Sequence, residues 1–126
     1  LAVGNLTRTP FGKYPEYHTS ADNLQFIQPE YLEASFRIYQ QIIEVLEKNR
    51  HYQNLNPKCE PQLGKRGLYE AIGGENDQKI LQMAMLWVLN YADGNHSLLD
   101  IVEKAEMSFD VIYKSGKLLL EHKLLK

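Results

Sequence analysis

A mainly α-helical chain in two parts is predicted for these 126 residues, and three observations predict it. Leu32, Phe36, Tyr39, Ile43 and Leu46 recur at alternating steps of four and three, the spacing of one face of a long helix. Residues 76–126 hold three shorter apolar-periodic runs with only brief turn signals between them. The stretch between these regions has no sustained period and is broken by Asn54, Asn56, Pro57, Pro61, Gly64 and Gly67, then by Gly73 and Gly74.

Taken in order, residues 1–17 are punctuated by Gly4, Asn5, Pro10, Gly12 and Pro15, which leaves residues 1–3 or 6–9 as the only short strand candidates. The long helix is expected from Pro29 to about Lys48. Pro29 suits its first position, Glu30 and Glu33 favour its positive end, and Ile42 widens the apolar stripe. A stripe of this kind ordinarily buries against a domain, so its aromatic residues read as core. Residues 50–75 are expected to be a linker with a structured middle. A connection of that length without regular structure is uncommon unless functional or disordered. In residues 58–67, Lys65 and Arg66 are candidates to meet an anionic substrate group or a carboxylate, with Gly64 and Gly67 allowing close backbone approach. The plainer alternative is a solvated basic turn.

Residues 77–91 place Ile80, Leu81, Ala84, Met85 and Val88 on one side of a helix that stops at Asp93-Gly94. Ser97 and Asp100 have capping-box spacing, with Asp a shorter return arm than Glu, and open a short helix through Ile101, Val102 and Ala105. A third helix, capped by Ser108, is expected to bury Phe109, Ile112, Leu119 and Leu120. The three together spell helix-turn-helix. A winged version would add a two-stranded ribbon, of which His122-Lys123-Leu124-Leu125 offers a vestige at best. Gly116 inside the third helix costs about 1 kcal/mol relative to alanine, which calls for close helix packing.

Composition narrows the function classes. No run is apolar for long enough to span a membrane, so no membrane partner is expected. Cys59 is the sole cysteine, which excludes an intrachain disulfide and fits a reducing, cytoplasmic compartment. The formal net charge of −2 argues against a chain-wide polyanion surface. In residues 76–126, Lys79, Lys104, Lys114, Lys117, Lys123 and Lys126 face seven acidic residues and no arginine stands among them. Asp110, at the start of the third helix, would repel phosphate. Contact with protein is therefore expected ahead of DNA, and the competing class is a winged-helix regulator that binds nucleic acid.

His18 is the candidate metal ligand. On spacing alone it reads as an ordinary surface or core histidine, because one imidazole cannot make a metal site. Asp22, four residues on, is placed to orient that ring or to cap the next turn.

Two long motifs carry a resemblance that changes this weighting. They are Arg8-Thr9-Pro10-Phe11-Gly12-Lys13-Tyr14-Pro15-Glu16-Tyr17-His18-Thr19-Ser20-Ala21-Asp22-Asn23-Leu24 and Asn56-Pro57-Lys58-Cys59-Glu60-Pro61-Gln62-Leu63-Gly64-Lys65-Arg66-Gly67-Leu68-Tyr69. With them the chain resembles the C-terminal part of the aminopeptidase-like zinc proteins associated with polysaccharide biosynthesis, whose last segment is a winged-helix domain. His18-Thr19-x-x-Asp22 is similar to the final metal-ligand motif of the di-zinc aminopeptidase clan. The resemblance implies residues 1–49 as the closing loop and helix of an α/β di-zinc aminopeptidase-like domain, a linker over 50–75, and a winged-helix-like module over 76–126. It implies His18 as a zinc ligand and Tyr17 as a residue lining the cleft. The intact protein would use two zinc ions to hydrolyse an amide bond. The expected partner is the remainder of the peptidase domain, with a homo-oligomer as a further expectation. The chain opens at Leu1 without a methionine and is expected to be a fragment. Alone it should be inactive and hold no zinc tightly, because a two-metal hydrolase needs more ligands and a positioned base.

Overall fold

The structure, a computed structural model, describes residues 4–69 and 75–126. It divides into two units, Leu1–Glu44 and Val45–Lys126. The strand candidate at residues 1–3 and the glycines at 73 and 74 lie outside the described residues.

Helix α1 spans Pro29–Lys48, as its periodicity predicts, with Glu30 in its first turn and Lys48 in its last. The expectation that its stripe forms core is not met, because none of its residues is buried. Leu32 and Phe36 are each 62% exposed and Ile43 is 57% exposed. Ahead of α1, residues 6–9 form no strand. They are held by side chains instead: the Tyr39 hydroxyl donates to the Leu6 carbonyl at 3.4 Å, and Arg8 Nη1 donates to the Tyr31 carbonyl at 3.4 Å.

The second unit is built from strand β1 (His51–Gln53), a 3₁₀ turn (Leu63–Arg66), helix α2 (Glu75–Tyr91), strand β2 (Asp93–Ser97), helix α3 (Leu98–Ala105) and helix α4 (Phe109–Glu121). The helices pack through Met85 and Val88 of α2, Leu98 and Ile101 of α3, and Ile112 and Leu119 of α4, all essentially without exposure. Two expected core positions turn outward: Ile80 is 47% exposed and Leu120 is 40% exposed. Each sits one step past the arc its helix buries, an error that apolar spacing read without a partner helix readily makes.

β1 is the middle of three paired segments. On one side it pairs antiparallel with β2, His51 opposite Ser97 and Gln53 opposite Asp93, with an irregularity between. On the other side Gln53 and Lys126 exchange backbone hydrogen bonds of 2.9 and 3.0 Å, Leu55 N donates to the Leu124 carbonyl, and Asn54 bridges Leu125. The segment after α4, expected as a vestigial wing, thus joins the sheet and buries Leu124 and Leu125. The stop read at Asp93-Gly94 is the start of β2, with Gly94 at φ 83°.

Residues 50–69 belong to this unit and do not merely connect to it. Leu63 is fully buried and Leu68 is 2% exposed. The 3₁₀ turn that carries Leu63 lies between left-handed residues, Gln62 at φ 54° and Gly67 at φ 72°. Within it the Glu60 carboxylate accepts from Leu63 N, and Arg66 Nε donates to the Pro61 carbonyl at 3.0 Å.

Gly116 has its reason in packing. A Cβ there would stand 3.1 Å from Cε2 of Tyr52 and 3.5 Å from Cδ2 of Leu98, so α4 presses on β1 as well as on α3. The neighbouring Ser115 is fully buried, and its hydroxyl has no hydrogen-bond partner among the described residues. Ser108 occupies the N-cap position of α4, but its side chain makes no capping bond.

The capping box of α3 is complete despite the short aspartate arm. Ser97 Oγ accepts from Asp100 N, while Asp100 Oδ2 accepts from Ser97 N and from the Ser97 hydroxyl, both at 2.7 Å. Asn49, just past α1, adds a further bond, its Oδ1 accepting from Leu99 N at 3.0 Å. Hydrogen bonds from the Ser97 side chain, then from its backbone, hold the Asp100 carboxyl below the usual carboxylate range. A group depressed in the folded state stabilises above its unfolded pKa and loses that contribution as pH falls through its folded pKa. Asp100→Asn is accordingly expected to be less stable than the parent at pH 7, with the gap closing below about pH 4. Urea titrations at the two pH values check this. An equal deficit at both would mean that the carboxylate charge is not involved.

Candidate functional site: the aromatic turn around His18

Residues 10–27 form a succession of tight turns. Lys13 N donates to Pro10 O, Tyr17 N to Tyr14 O, Thr19 N to Glu16 O and Asp22 N to Thr19 O. The Thr19 hydroxyl reinforces them by donating to the Glu16 carbonyl at 2.8 Å and accepting from Ala21 N at 3.2 Å. His18 sits among these turns at φ 58°, in the left-handed region that costs a residue with a Cβ about 1–3 kcal/mol.

Aromatic rings support it from one side. The His18 ring stacks on Tyr17 with centroids 4.1 Å apart and planes 13° apart. Tyr17 meets Tyr14 edge-on at 5.5 Å, and Tyr14 stacks on Phe26 at 6.1 Å. The imidazole is thus oriented by a ring while it remains exposed. Asp22 is exposed too, and its carboxylate bonds to nothing among the described residues. Its expected capping role falls to Asn23, whose Oδ1 accepts from Gln25 N at 2.9 Å. Beside the turn lies a groove of about 810 Å³ lined by Phe11, Tyr14, Phe26, Tyr31 and Ile38, with Arg8 as its cation. The Arg8 guanidinium stands 4.9 Å from the Tyr31 ring centroid. Neither His18 nor Tyr17 lines this groove. Arg8 escaped the sequence reading as a functional candidate, although it opens the first of the two long motifs.

Lys65 and Arg66 belong to the second unit, exposed on the 3₁₀ turn, with Arg66 tied back to Pro61. Cys59 is exposed and left-handed at φ 63°. Among the described residues no three His, Cys, Asp or Glu side chains come together in a group able to hold a metal ion. No described helix is long and apolar enough to cross a membrane.

In the second unit three lysines have side-chain partners, Lys114 and Lys104 on the helix-turn-helix and Lys48 at the end of α1. Lys114 pairs with Asp110 at 2.6 Å along α4, Lys104 lies 5.2 Å over the Tyr91 ring, and Lys48 lies 5.1 Å over that of Tyr113. Asp93 is held well below its ordinary range, first by the His96 backbone N–H, then by that of Asn95 and by the His96 ring at 3.0 Å. Burial, then the Tyr113 charge, raises the Tyr52 phenol.

Comparison with known proteins places these features. Along its full length the chain is 49% identical to a Clostridium acetobutylicum protein named for polysaccharide biosynthesis and an aminopeptidase-like domain. It spans 29% of that relative. A crystal structure of a protein described as a peptidase from Clostridium acetobutylicum superposes with a TM-score of 0.75 at 45% identity, over 90% of this chain and 24% of that one. Residues 1–49 match a family described as a domain of unknown function, and residues 50–126 match the winged helix-turn-helix family. That second match takes in β1, the 3₁₀ turn, all three packed helices and the closing segment. By this match the chain belongs to the winged helix-turn-helix family.

Proposed function

We propose that this chain is the closing part of a zinc-dependent aminopeptidase-like hydrolase acting on amide bonds. In this reading its first unit completes the catalytic domain, and its winged-helix unit makes protein contacts. The observation that carries the reading is α1: a 20-residue helix with a regular apolar stripe and no buried residue is a helix that awaits a partner surface. The relatives supply a candidate, since each extends far beyond the matched region.

His18 would contribute one zinc ligand in that setting. A closed zinc site takes four donors, and in this reading the longer protein supplies the others. What the residues do supply is orientation: Tyr17 under the ring and tight turns on both sides hold the imidazole outward. Hydrolysis belongs to the longer protein, in a reducing, cytoplasmic setting that suits the lone exposed Cys59. The near-balanced charge of the second unit, with no arginine after Arg66, favours a protein partner over duplex DNA.

The test is His18→Ala in the longer protein, read by bound zinc and by hydrolysis of an aminoacyl amide. Activity is expected to fall on the order of 10²-fold or more, with zinc content reduced and far-UV circular dichroism unchanged. Full zinc occupancy and full activity in the variant would end the proposal.

A further inference from the structure

The groove beside the aromatic turn lies wholly within the first unit, and its lining holds a residue that the hydrolase reading leaves unused. At about 810 Å³ it falls in the size range of small-molecule pockets. Phe11, Tyr14, Phe26 and Tyr31 give it ring-bearing walls, no acidic side chain lines it, and Arg8 is its single charged residue.

Arg8 is placed to receive an anion. Its guanidinium stands 4.9 Å from the Tyr31 ring centroid, and Nη1 donates to the Tyr31 carbonyl at 3.4 Å. Those contacts hold the group in place while most of its N–H donors stay open. Among the described residues no carboxylate pairs with it. A guanidinium anchored on a ring with its fork open suits a carboxylate or phosphate, which it binds through two parallel hydrogen bonds. Thr7 and Thr9, on either side of it in sequence, also line the groove and bring hydroxyl donors.

The side of α1 that meets this groove is not the stripe assigned above to a partner surface. Tyr31, Ser35 and Ile38 line the groove at steps of four and three, whereas Phe36 and Ile43 take no part in it. Successive residues lie about 100° apart around a helix, so covering the Phe36 line leaves the Ser35 line to the groove. Tyr14 joins the groove to the candidate metal ligand. It forms part of the wall and meets Tyr17 edge-on at 5.5 Å, and Tyr17 stacks under the His18 ring.

We infer that this groove is a subsite for an anionic group carried on an apolar, ring-sized body, with Arg8 binding the anion as a carboxylate or a phosphate. The substrate class is then an amide that bears such a group. As a statement about substrate this rests on the hydrolase reading; as a binding site it does not depend on zinc.

Calorimetry on the longer protein tests it with benzoate, phenyl phosphate and their neutral counterpart, benzyl alcohol. At least one anion should bind about 10-fold or more tightly than the alcohol, and the tighter of the two names the natural anion. Arg8→Gln should abolish that preference and Arg8→Lys should retain part of it. Lys13→Gln, which removes a nearby cation outside the groove, should leave it intact. His18→Ala should lose zinc yet keep the preference, so zinc retained in that variant counts against the metal assignment alone. Failure of both anions to bind, equal binding of all three probes, a preference that survives Arg8→Gln, or one that vanishes with His18→Ala would each overturn the subsite.

Discussion

Leu63→Ala is expected to destabilise the second unit by about 2–5 kcal/mol, the range for truncating a buried leucine to leave a cavity. The residue comes from a stretch rich in Pro, Gly and Asn that has no regular period, yet it is fully buried beside the packed helices. Its position is over-determined. The Glu60 carboxylate accepts its N–H, Leu68 N donates to its carbonyl at 3.1 Å, and left-handed residues bracket its turn. The surroundings are therefore poorly able to collapse into the space, which favours the upper part of the range. Trp87 is the only tryptophan and lies on α2, so its fluorescence in urea reports this unit. A change within about 0.5 kcal/mol, the ordinary result for a surface position, would return residues 50–69 to the status of a linker.

Removal of residues 124–126 should have a larger effect. Leu124 and Leu125 are each 3% exposed. Withdrawing both from the core costs about 1.5–3 kcal/mol apiece in transfer free energy. Three backbone hydrogen bonds to residues 53 and 55 go with them. The total, roughly 3–6 kcal/mol before the hydrogen bonds, compares with a whole-domain stability of about 5–15 kcal/mol. The truncated chain should show a Trp87 emission shifted toward that of the unfolded state at 25 °C. As a control, Lys126→Ala should stay within about 0.5 kcal/mol of the parent because its side chain is exposed. A native-like urea midpoint for the truncated chain would show that this edge of the sheet contributes little.

The helices were legible because their signals are local. Pro29 with Glu30, the 3.6-residue period, and Ser97 with Asp100 each act within a turn or two, and α1 and α3 fall where those signals put them. The strands were not. His51-Tyr52-Gln53 and Asp93-Gly94-Asn95-His96-Ser97 contain no β-branched residue and become strands only because they meet each other across forty residues of chain. Leu63 was missed for a related reason: a single apolar residue has no period, so its burial depends on a turn geometry set by Gln62 and Gly67. Of the candidate site, the resemblance singled out His18, while residue spacing alone had ranked it as ordinary. The stacking of Tyr17 under it, the relay of rings to Phe26 and the placing of Arg8 over Tyr31 depend on chain reversals at successive turns, which residue types alone do not specify.

The middle position of β1 has a kinetic consequence. Contacts of α3 with α2 and with α4 join neighbours in sequence, and those of α2 with α4 span only β2 and α3, so the loop-closure entropy of forming them is modest. The two ladders on β1 join distant stretches, the far one only after α4 has been passed. During synthesis β1 therefore leaves the ribosome long before either of its neighbours exists, and its open edges stay available to other chains in that interval. A helical nucleus that later captures an early-made strand would place the rate-limiting step of this unit at sheet closure.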